Sequence, residues 1–278
     1  MNSTSTKALP TYFISHGGGP WPSMKDQLKG AYDQLEASLQ AVPGQLGTNA
    51  PPRAVLVISG HWEEDEFTVM ASPQPPMVYD YSGFPAHTYG IQYPAPGSPS
   101  LARQVQGLIE GAGLKAKLDE HRGFDHGTFV PMMVIYPDAQ VPVVQVSILR
   151  NQDPQAHLAL GRALAPLRQE GVLIIGSGLS YHNLRAFGPA GHSASTAFDA
   201  WLQATLAAAP AERTQRLLDW ASAPGARQAH PREDHLVPLM VAVGAAEQEP
   251  SHCVYHEDAF FGGIAVSSFM FGGDRAPS

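Results

Sequence analysis

Short runs of apolar residues recur along the chain and alternate with longer stretches in which polar residues interrupt the apolar ones. The short runs are rich in Val and Ile and nearly continuous, as is typical of strands covered on both faces of a sheet. The longer stretches have the length and spacing of helices. The pattern predicts strands at 11–15, 54–60, 141–148, 172–178 and 263–271, and helices at about 23–41, 99–113, 154–170, 194–208 and 235–246.

This alternation predicts an α/β fold: a single domain with a central, mostly parallel or mixed sheet and helices on both faces. Because no internal repeat or low-complexity linker divides the chain, we expect one catalytic domain over 1–278, with its core at about 11–272. The segment 72–98 is crowded with Pro, Gly and aromatic residues. We expect a long ordered loop there, and such loops often bind ligands.

Charge and composition restrict the partners. The formal net charge of −8 argues against binding to nucleic acid or to an anionic membrane surface, since both need clustered Lys and Arg. No apolar run is long enough for a membrane span, and the first residues lack the pattern of a signal peptide. The single cysteine, Cys253, excludes an intrachain disulfide and is expected in a buried strand. A cytoplasmic protein that acts on a small molecule is the expectation.

Histidines placed at strand ends are the most informative feature. His16 closes the first predicted strand in SHGGGP, His61 closes the second in SGHWEE, and His182 follows the strand 172–178 in GLSYHN. In open α/β sheets, ligands bind in the crevice beyond the carboxyl ends of the strands. We therefore predict that these histidines converge on a metal site at that edge of the sheet.

Two further histidines lie in turn-like contexts beside carboxylates. His126 follows Asp125 in GFDHGTFVP, and His235 follows Glu233 and Asp234 in HPREDHLVPL, at the start of a predicted helix. Any one histidine is more often a structural residue, but the repeated pattern favours a shared site. Neutral imidazoles bind Zn, Fe, Cu and Ni, and adjacent carboxylates can orient the rings. Glu233 or Asp234 could instead bind the metal directly.

The order of these motifs resembles a known family. The motifs run from about residue 12 to residue 271 and include SHGGGP, SGHWE, GFP…YPAPGSP, GFDHGTFVP, YPDAQVPVVQVSI, SGLSYHNLR and REDHLVPL. Together they resemble the class III extradiol ring-cleaving dioxygenases, and most nearly the 4,5-DOPA extradiol dioxygenase branch. The resemblance implies an enzyme that uses non-haem Fe(II) and O2 to open the ring of a catechol-type substrate beside its two hydroxyls.

The resemblance also implies a ligand set. His16 and His61 correspond to the first two metal-binding histidines of the family, and His235 corresponds to the third. The wider superfamily often uses two histidines and a carboxylate, which leaves Glu233 as an alternative third ligand. Zn(II) could occupy the same histidines, so a zinc-dependent hydrolase on this scaffold is the alternative function.

Catalytic and substrate-binding roles follow by the same resemblance and by position. His182 matches a histidine that acts as an acid/base or as a fourth metal ligand, and His126 matches one that contacts dioxygen or a substrate hydroxyl. In the long loop, Tyr81, Phe84 and His87 are candidates to cover a planar substrate. The sequence leaves the particular catechol, the native metal and homo-oligomer formation open.

Overall fold

Eight strands form one mixed sheet in the computed structural model, which describes residues 8–48 and 50–273. Five of the strands coincide with the predicted ones, and three short or peripheral strands were not predicted. In chain order the strands are β1 (Thr11–Ser15), β2 (Ala54–Glu64), β3 (Phe67–Met70), β4 (Ala116–Asp119), β5 (Val143–Leu149), β6 (Val172–Gly178), β7 (Ser251–Phe260) and β8 (Ile264–Phe271).

The sheet has a parallel centre with antiparallel pairings on either side. The spatial order is β4-β3-β5-β2-β6-β1-β8-β7. Strands β5, β2, β6 and β1 run parallel, whereas β3 pairs antiparallel with β5 and β8 pairs antiparallel with β1. The predicted α/β class with a mixed central sheet is confirmed, and the carboxyl ends of the four parallel strands meet at one edge.

Helices cover both faces of this sheet, because successive side chains of its strands point in opposite directions. In β2, Val55 and Val57 belong to one apolar core, while Leu56 and Ile58 belong to the other. The α-helices of the described residues are α1 (Lys25–Leu28), α2 (Asp33–Gln45), α3 (Pro99–Gly111), α4 (His126–Ile135), α5 (Pro154–Leu164), α6 (His192–Ala207), α7 (Pro210–Leu218), α8 (Ala226–Ala229) and α9 (Val237–Ala245).

Short 3₁₀ segments join several of these elements. The helix predicted at 154–170 is α-helical to Leu164 and continues as a 3₁₀ segment. The 3₁₀ segments are Trp21–Met24, Ala86–Gly90, Ala165–Glu170, Leu184–Ala186, Gly188–Gly191 and Trp220–Ser222.

The helix predicted at 23–41 is wrong as a single element. It is divided into α1 and α2 because Lys29 and Gly30 adopt left-handed backbone angles, with φ of 46° and 82°. A left-handed residue at a helix end cannot continue the α-helical hydrogen-bond pattern. The chain therefore turns at this point before α2 begins at Asp33.

Helix α4 was not predicted, since GFDHGTFVP has the appearance of a turn. Nine of its ten residues are buried, so it has no polar face that would give a helical period. Pro131 within the helix cannot donate a hydrogen bond to the carbonyl oxygen of Gly127. The hydroxyl of Ser177 on β6 donates to that oxygen instead. This bond fixes the start of α4 against the centre of the sheet.

The loop 72–98 is irregular apart from one 3₁₀ turn, and it is held by its own hydrogen bonds, as predicted for an ordered loop. The hydroxyl of Tyr79 donates to the oxygen of Ile91 at 2.7 Å, and that of Tyr81 donates to the oxygen of Thr88 at 2.6 Å. The backbone N–H of Val78 donates to the oxygen of Phe124 at 2.8 Å. The loop is thereby fastened beside the start of α4.

Two further observations bear on the expectations from sequence. Cys253 lies in a strand, but burial was wrongly predicted: β7 is the edge strand of the sheet, and the residue is exposed.

Among the described residues, no helix combines the length and apolar character needed to cross a membrane.

Candidate metal and catalytic site

The five histidines that the sequence singled out line one cavity at the carboxyl edge of the parallel strands. The cavity has a volume of about 540 Å³, within the range of roughly 300–1,000 Å³ that is usual for small-molecule sites. Its other walls are mostly aromatic and aliphatic. The five histidines are His16, His61, His126, His182 and His235.

The imidazole rings are close enough to share one ligand. The ring centre of His16 lies 5.0 Å from that of His61, 5.4 Å from that of His126 and 5.1 Å from that of His235. The ring of His61 is 3.9 Å from that of His126, and the ring of His182 stacks on that of His235 at 3.4 Å. Residues 219 positions apart in sequence thus form one cluster.

Each histidine is brought to the cluster by the end of an element or by an irregular segment. His16 follows β1 directly, and His126 is the first residue of α4. His61 lies within β2, which continues beyond the predicted end at a register shift between Ile58 and Glu63. Such irregularities turn a side chain away from its regular direction.

His235 reaches the cluster because two glycines let its backbone approach the sheet. A Cβ atom on Gly178 of β6 would lie 2.1 Å from the carbonyl oxygen of His235. A Cβ atom on Gly60 of β2 would lie 2.6 Å from the carbonyl oxygen of Asp234. Both separations are shorter than any real Cβ contact, so a side chain at either position would push this segment outward.

Asp80, in the long loop, holds two of the histidines. His126 donates from Nδ1 to Asp80 Oδ1 at 2.8 Å, and its backbone N–H donates to the same oxygen at 3.0 Å. His61 Nδ1 lies 3.4 Å from Asp80 Oδ2. Burial alone would raise the pKa of Asp80, but the hydrogen bonds and charge of His126 outweigh burial and lower it. With Nδ1 of both rings facing one carboxylate, Nε2 of both faces the cluster.

Asp234 lies beside the Nδ1 atoms of the other two histidines, His182 and His235. His235 Nδ1 lies 3.2 Å from Asp234 Oδ2, and His182 Nδ1 lies 3.7 Å from Asp234 Oδ1. Burial would raise the pKa of Asp234, yet the adjacent rings of His182 and His235 lower it strongly. Each carboxylate therefore orients two imidazoles.

The donor atoms and their protonation fit a metal ion. His61 Nε2 and His235 Nε2 are 3.0 Å apart, the spacing of two nitrogens bound at right angles to one ion with bonds of about 2.1 Å. Both ring nitrogens of His16 are buried and have no hydrogen-bond partner within residues 8–48 and 50–273. His16, His61 and His235 are therefore the residues best placed to hold an ion.

These three histidines are also kept in the form that binds metal. Burial, followed by the neighbouring histidines, holds the pKa of both His16 and His61 well below 6.5, and burial chiefly lowers the pKa of His235 to about 4. Neutral imidazole is the form that binds a metal ion.

Two residues proposed from sequence, Glu233 and His87, lie outside the cavity. Glu233, the alternative ligand, accepts a hydrogen bond from Arg227 at 2.8 Å and does not line the cavity, whereas Asp234 does. His87 also lies outside the cavity, with Nε2 3.2 Å from the carbonyl oxygen of Ser23. Neither side chain is therefore among the described residues that line the cavity.

Asp125, which could have oriented His126, has other partners. Its buried carboxylate accepts hydrogen bonds from Ser59 at 2.7 Å and Arg122 at 2.8 Å, and also from Gln145. Asp125 therefore ties α4 to β2 and β5. Asp80, which the sequence analysis did not identify, takes the expected role.

Tyr81 and Phe84 lie in the cavity wall, as their assignment requires. The ring centre of Tyr81 is 5.8 Å from that of His126 and 5.4 Å from that of Phe84. The loop thus contributes a carboxylate to the histidines and two aromatic rings to the wall.

Comparison with known proteins agrees with this geometry. A family profile described as the catalytic LigB subunit of aromatic ring-opening dioxygenase matches residues 10–271. This chain belongs to the LigB family. These are the class III extradiol dioxygenases, so the family indicated by the sequence motifs is confirmed.

Curated LigB relatives match over nearly the full length. A protein of Beta vulgaris named 4,5-DOPA dioxygenase extradiol is 39% identical over 94% of this chain and 96% of its own. One of the same name from Escherichia coli K12 is 32% identical over 96% of each chain. A protein of Hapsidospora irregularis named dioxygenase tasH is 35% identical over 98% of this chain and 88% of its own.

The LigB fold is also found in a solved structure. The crystal structure of an uncharacterized protein, JW3007, from Escherichia coli K12 superposes with a TM-score of 0.76 at 30% identity. The superposition covers 95% of this chain and all of the other. The names of the curated relatives mark this LigB protein as an oxygenase-type enzyme.

Proposed function

We propose that this protein is a non-haem Fe(II) extradiol dioxygenase that opens the ring of a catechol-type substrate with O2. The observation that carries the proposal is the meeting of His16, His61 and His235 at the base of an aromatic cavity in a LigB-family chain. Three histidines leave other coordination positions free for substrate and O2.

The metal requirement follows from the chemistry of the reaction. His16, His61 and His235 would hold the ion, and Zn(II) would fit the same nitrogens. When bound, Fe(II) supplies the Lewis acidity for both catechol oxygens and the redox activity towards O2 that Zn(II) lacks. Both atoms of O2 enter the product as the carbon–carbon bond beside one hydroxyl breaks, so no external reductant is consumed.

Two histidines are proposed to move the protons. His182 is the acid/base: its Nδ1 faces Asp234 and its side chain is 20% exposed, so Nε2 can take a catechol hydroxyl proton and exchange it with water. His126 is the second: its Nδ1 proton is held by Asp80, which leaves Nε2 as an acceptor towards substrate. The loop residues Tyr81 and Phe84 are proposed to cover the substrate ring.

Oxygen uptake tests the proposal. The protein is loaded anaerobically with Fe(II), mixed with catechol, L-DOPA, caffeate, protocatechuate or gallate, and then exposed to air. We expect O2 consumption in a one-to-one ratio with substrate and a yellow ring-opened product, with no uptake by the Zn(II)-loaded protein. Absence of turnover on every catechol contradicts the proposal. Ester or amide hydrolysis without O2 by the zinc form would establish the hydrolase alternative instead.

A further inference from the structure

The turn between β7 and β8 holds a bulky residue in an unfavourable backbone conformation. Gly263 N–H donates to the oxygen of Phe260 at 3.2 Å, which closes a turn whose central residues are Phe261 and Gly262. Their φ angles are 50° and 80°. Left-handed angles at both central positions favour Asn and Gly, and phenylalanine is rarely found there. Such an outlier suggests that the side chain has a function.

The side chain of Phe261 lies at the cavity. Its ring meets those of Tyr32 and Phe187 edge-on, with centres 5.2 Å and 5.5 Å away, and it lines the same cavity as the five histidines. It nevertheless remains 37% exposed. A phenylalanine that is both strained and half covered contributes less to folding than one in a core.

Phe261 completes an aromatic wall in which Trp21 and Tyr32 each hydrogen-bond to the backbone through their polar group. Trp21 Nε1 donates to the oxygen of His16 at 2.9 Å, and the Tyr32 hydroxyl accepts from the N–H of Gly18 at 3.0 Å. The rings of Trp21 and Tyr32 stack with centres 4.8 Å apart. Leu184, which is 71% exposed, continues the wall at the cavity surface. This wall presents ring faces and apolar edges.

The charges around the cavity are negative. Among the described residues that line it, none is lysine or arginine, and its carboxylates, Asp80 and Asp234, face the histidines. A substrate carboxylate away from the metal ion would lose its water without gaining a lysine or arginine partner. Arg185 and Arg232 line a neighbouring depression instead, and Arg232 is paired with Glu63 at 2.9 Å.

Resting on the proposed dioxygenase function, we propose that the substrate is a catechol with a bulky, uncharged apolar or aryl substituent. Phe261 is the specificity-determining residue that packs against that substituent. The volume of about 540 Å³ leaves space for such a group beside the catechol ring. Binding energy for it comes from burial against the aromatic wall.

Substrate selectivity tests this proposal. We expect the wild-type protein, loaded with Fe(II), to have a higher kcat/KM for 4-phenylcatechol than for catechol or L-DOPA. Phe261→Asn, whose side chain tolerates the left-handed turn, should lower the ratio of kcat/KM for 4-phenylcatechol over catechol by roughly tenfold or more. Phe261→Tyr keeps the ring and should retain the ratio. Leu218→Ala, an exposed leucine of α7 away from the cavity, is the control and should leave it unchanged.

A binding measurement separates this inference from the proposed activity. Trp21 lines the cavity, so quenching of tryptophan fluorescence reports ligand binding to the Zn(II)-loaded protein without turnover. Weaker binding of 4-phenylcatechol to Phe261→Asn, with catechol as reference, supports the proposal even if no substrate is oxidised. The proposal is overturned if Phe261→Asn keeps the wild-type preference and only its Tm falls. Preference of the wild-type protein for L-DOPA over 4-phenylcatechol also overturns it.

Discussion

At the residue scale, the site consists of one imidazole that no carboxylate orients and two carboxylates that each face two histidines. In the part of the chain that the structure describes, the ring of His16 has no hydrogen-bond partner, whereas Asp80 and Asp234 each face the Nδ1 atoms of two rings. The carboxylates decide which nitrogen of each ring faces the cavity. Ligand and acid/base roles can therefore be tested one residue at a time.

Removing a ligand and removing an acid/base should have different effects. We expect His16→Ala to lose its metal while the fold survives, because a candidate ligand is deleted. His182→Ala should keep most of its metal and lose turnover by a factor of roughly 100 to 10,000, the usual contribution of general acid–base catalysis. Mass spectrometry measures the metal content of each variant, and O2 uptake measures its turnover. If His182→Ala loses metal as completely as His16→Ala does, His182 is a fourth ligand.

Asp80→Asn tests the orienting carboxylate. Asparagine keeps the shape, but its amide has one acceptor oxygen where the carboxylate has two, so it cannot accept from the Nδ1 atoms of both rings in the same way. We therefore expect the metal affinity to fall roughly 10- to 100-fold. Competition with a chelator measures the affinity. Asp65→Asn is the matched control, since Asp65 is exposed and its ion-pair partner among the described residues is Arg150. The metal affinity of this variant should equal that of the wild type. Equal affinities in both variants would contradict the role of Asp80.

The sequence located the histidines but not Asp80, for a physical reason. His16, His61 and His182 follow or lie in apolar strands, and parallel strands bring their ends together. Asp80 lies 46 positions from His126, in a loop without periodicity, so only the path of the loop brings the two residues together. Glu233 and Asp234 are adjacent acids, and the local backbone decides which of them faces the site.

At the scale of elements, central strands are predictable and peripheral ones are not. Strands β1, β2, β5, β6 and β8 are continuous apolar runs, since both of their faces are buried. Strands β3 and β4 have only four residues each, and β7 is an exposed edge. Strand β3 is buried but too short for its apolar residues to show a strand period, whereas β4 and β7 are only partly buried and carry little apolar signal.

The close approach of the segment before α9 to β6 determines where His235 lies. Gly178→Ala would place a methyl group against the carbonyl oxygen of His235. We expect a loss of roughly 1–3 kcal/mol in the free energy of unfolding, and weaker metal binding as His235 moves outward. Urea unfolding and metal content measure the two effects.

Gly107→Ala is the control for that substitution. Gly107 lies in α3 with open space around it, so alanine there should raise the free energy of unfolding by roughly 0.5–1 kcal/mol and leave metal binding unchanged. If Gly178→Ala behaves like Gly107→Ala, close packing does not position His235.

At the scale of the whole molecule, buried histidines outside the site make stability depend on pH. His157 in α5 is fully buried, accepts from the N–H of Leu149 at 3.1 Å and donates to the oxygen of Asp153 at 2.7 Å. Burial lowers the pKa of His157 to about 4 and that of His230 to about 3. Both rings are therefore neutral in the folded chain at pH 7.

Unfolding should become easier as the pH falls below about 6.5. The unfolded chain takes up protons at these histidines from about pH 6.5 downward, whereas the folded chain binds one at His157 only near pH 4. Between pH 7 and pH 5, His157 alone should lower the free energy of unfolding by about 2 kcal/mol. Urea unfolding of wild type and His157→Gln at both pH values measures this. An equal pH effect in the two proteins would contradict the assignment.

The pairing of histidines through Asp80 and Asp234 has a consequence for how such a site can change over evolutionary time. Each carboxylate touches one ring proposed to bind the ion and one proposed to carry protons. A substitution at either acid alters both traits together, so selection for a different metal would also shift the rate–pH profile. Substitutions in the apolar wall do not alter metal binding and proton transfer in this way. Lineages built on this arrangement are therefore free to exchange substrates while their core chemistry stays fixed.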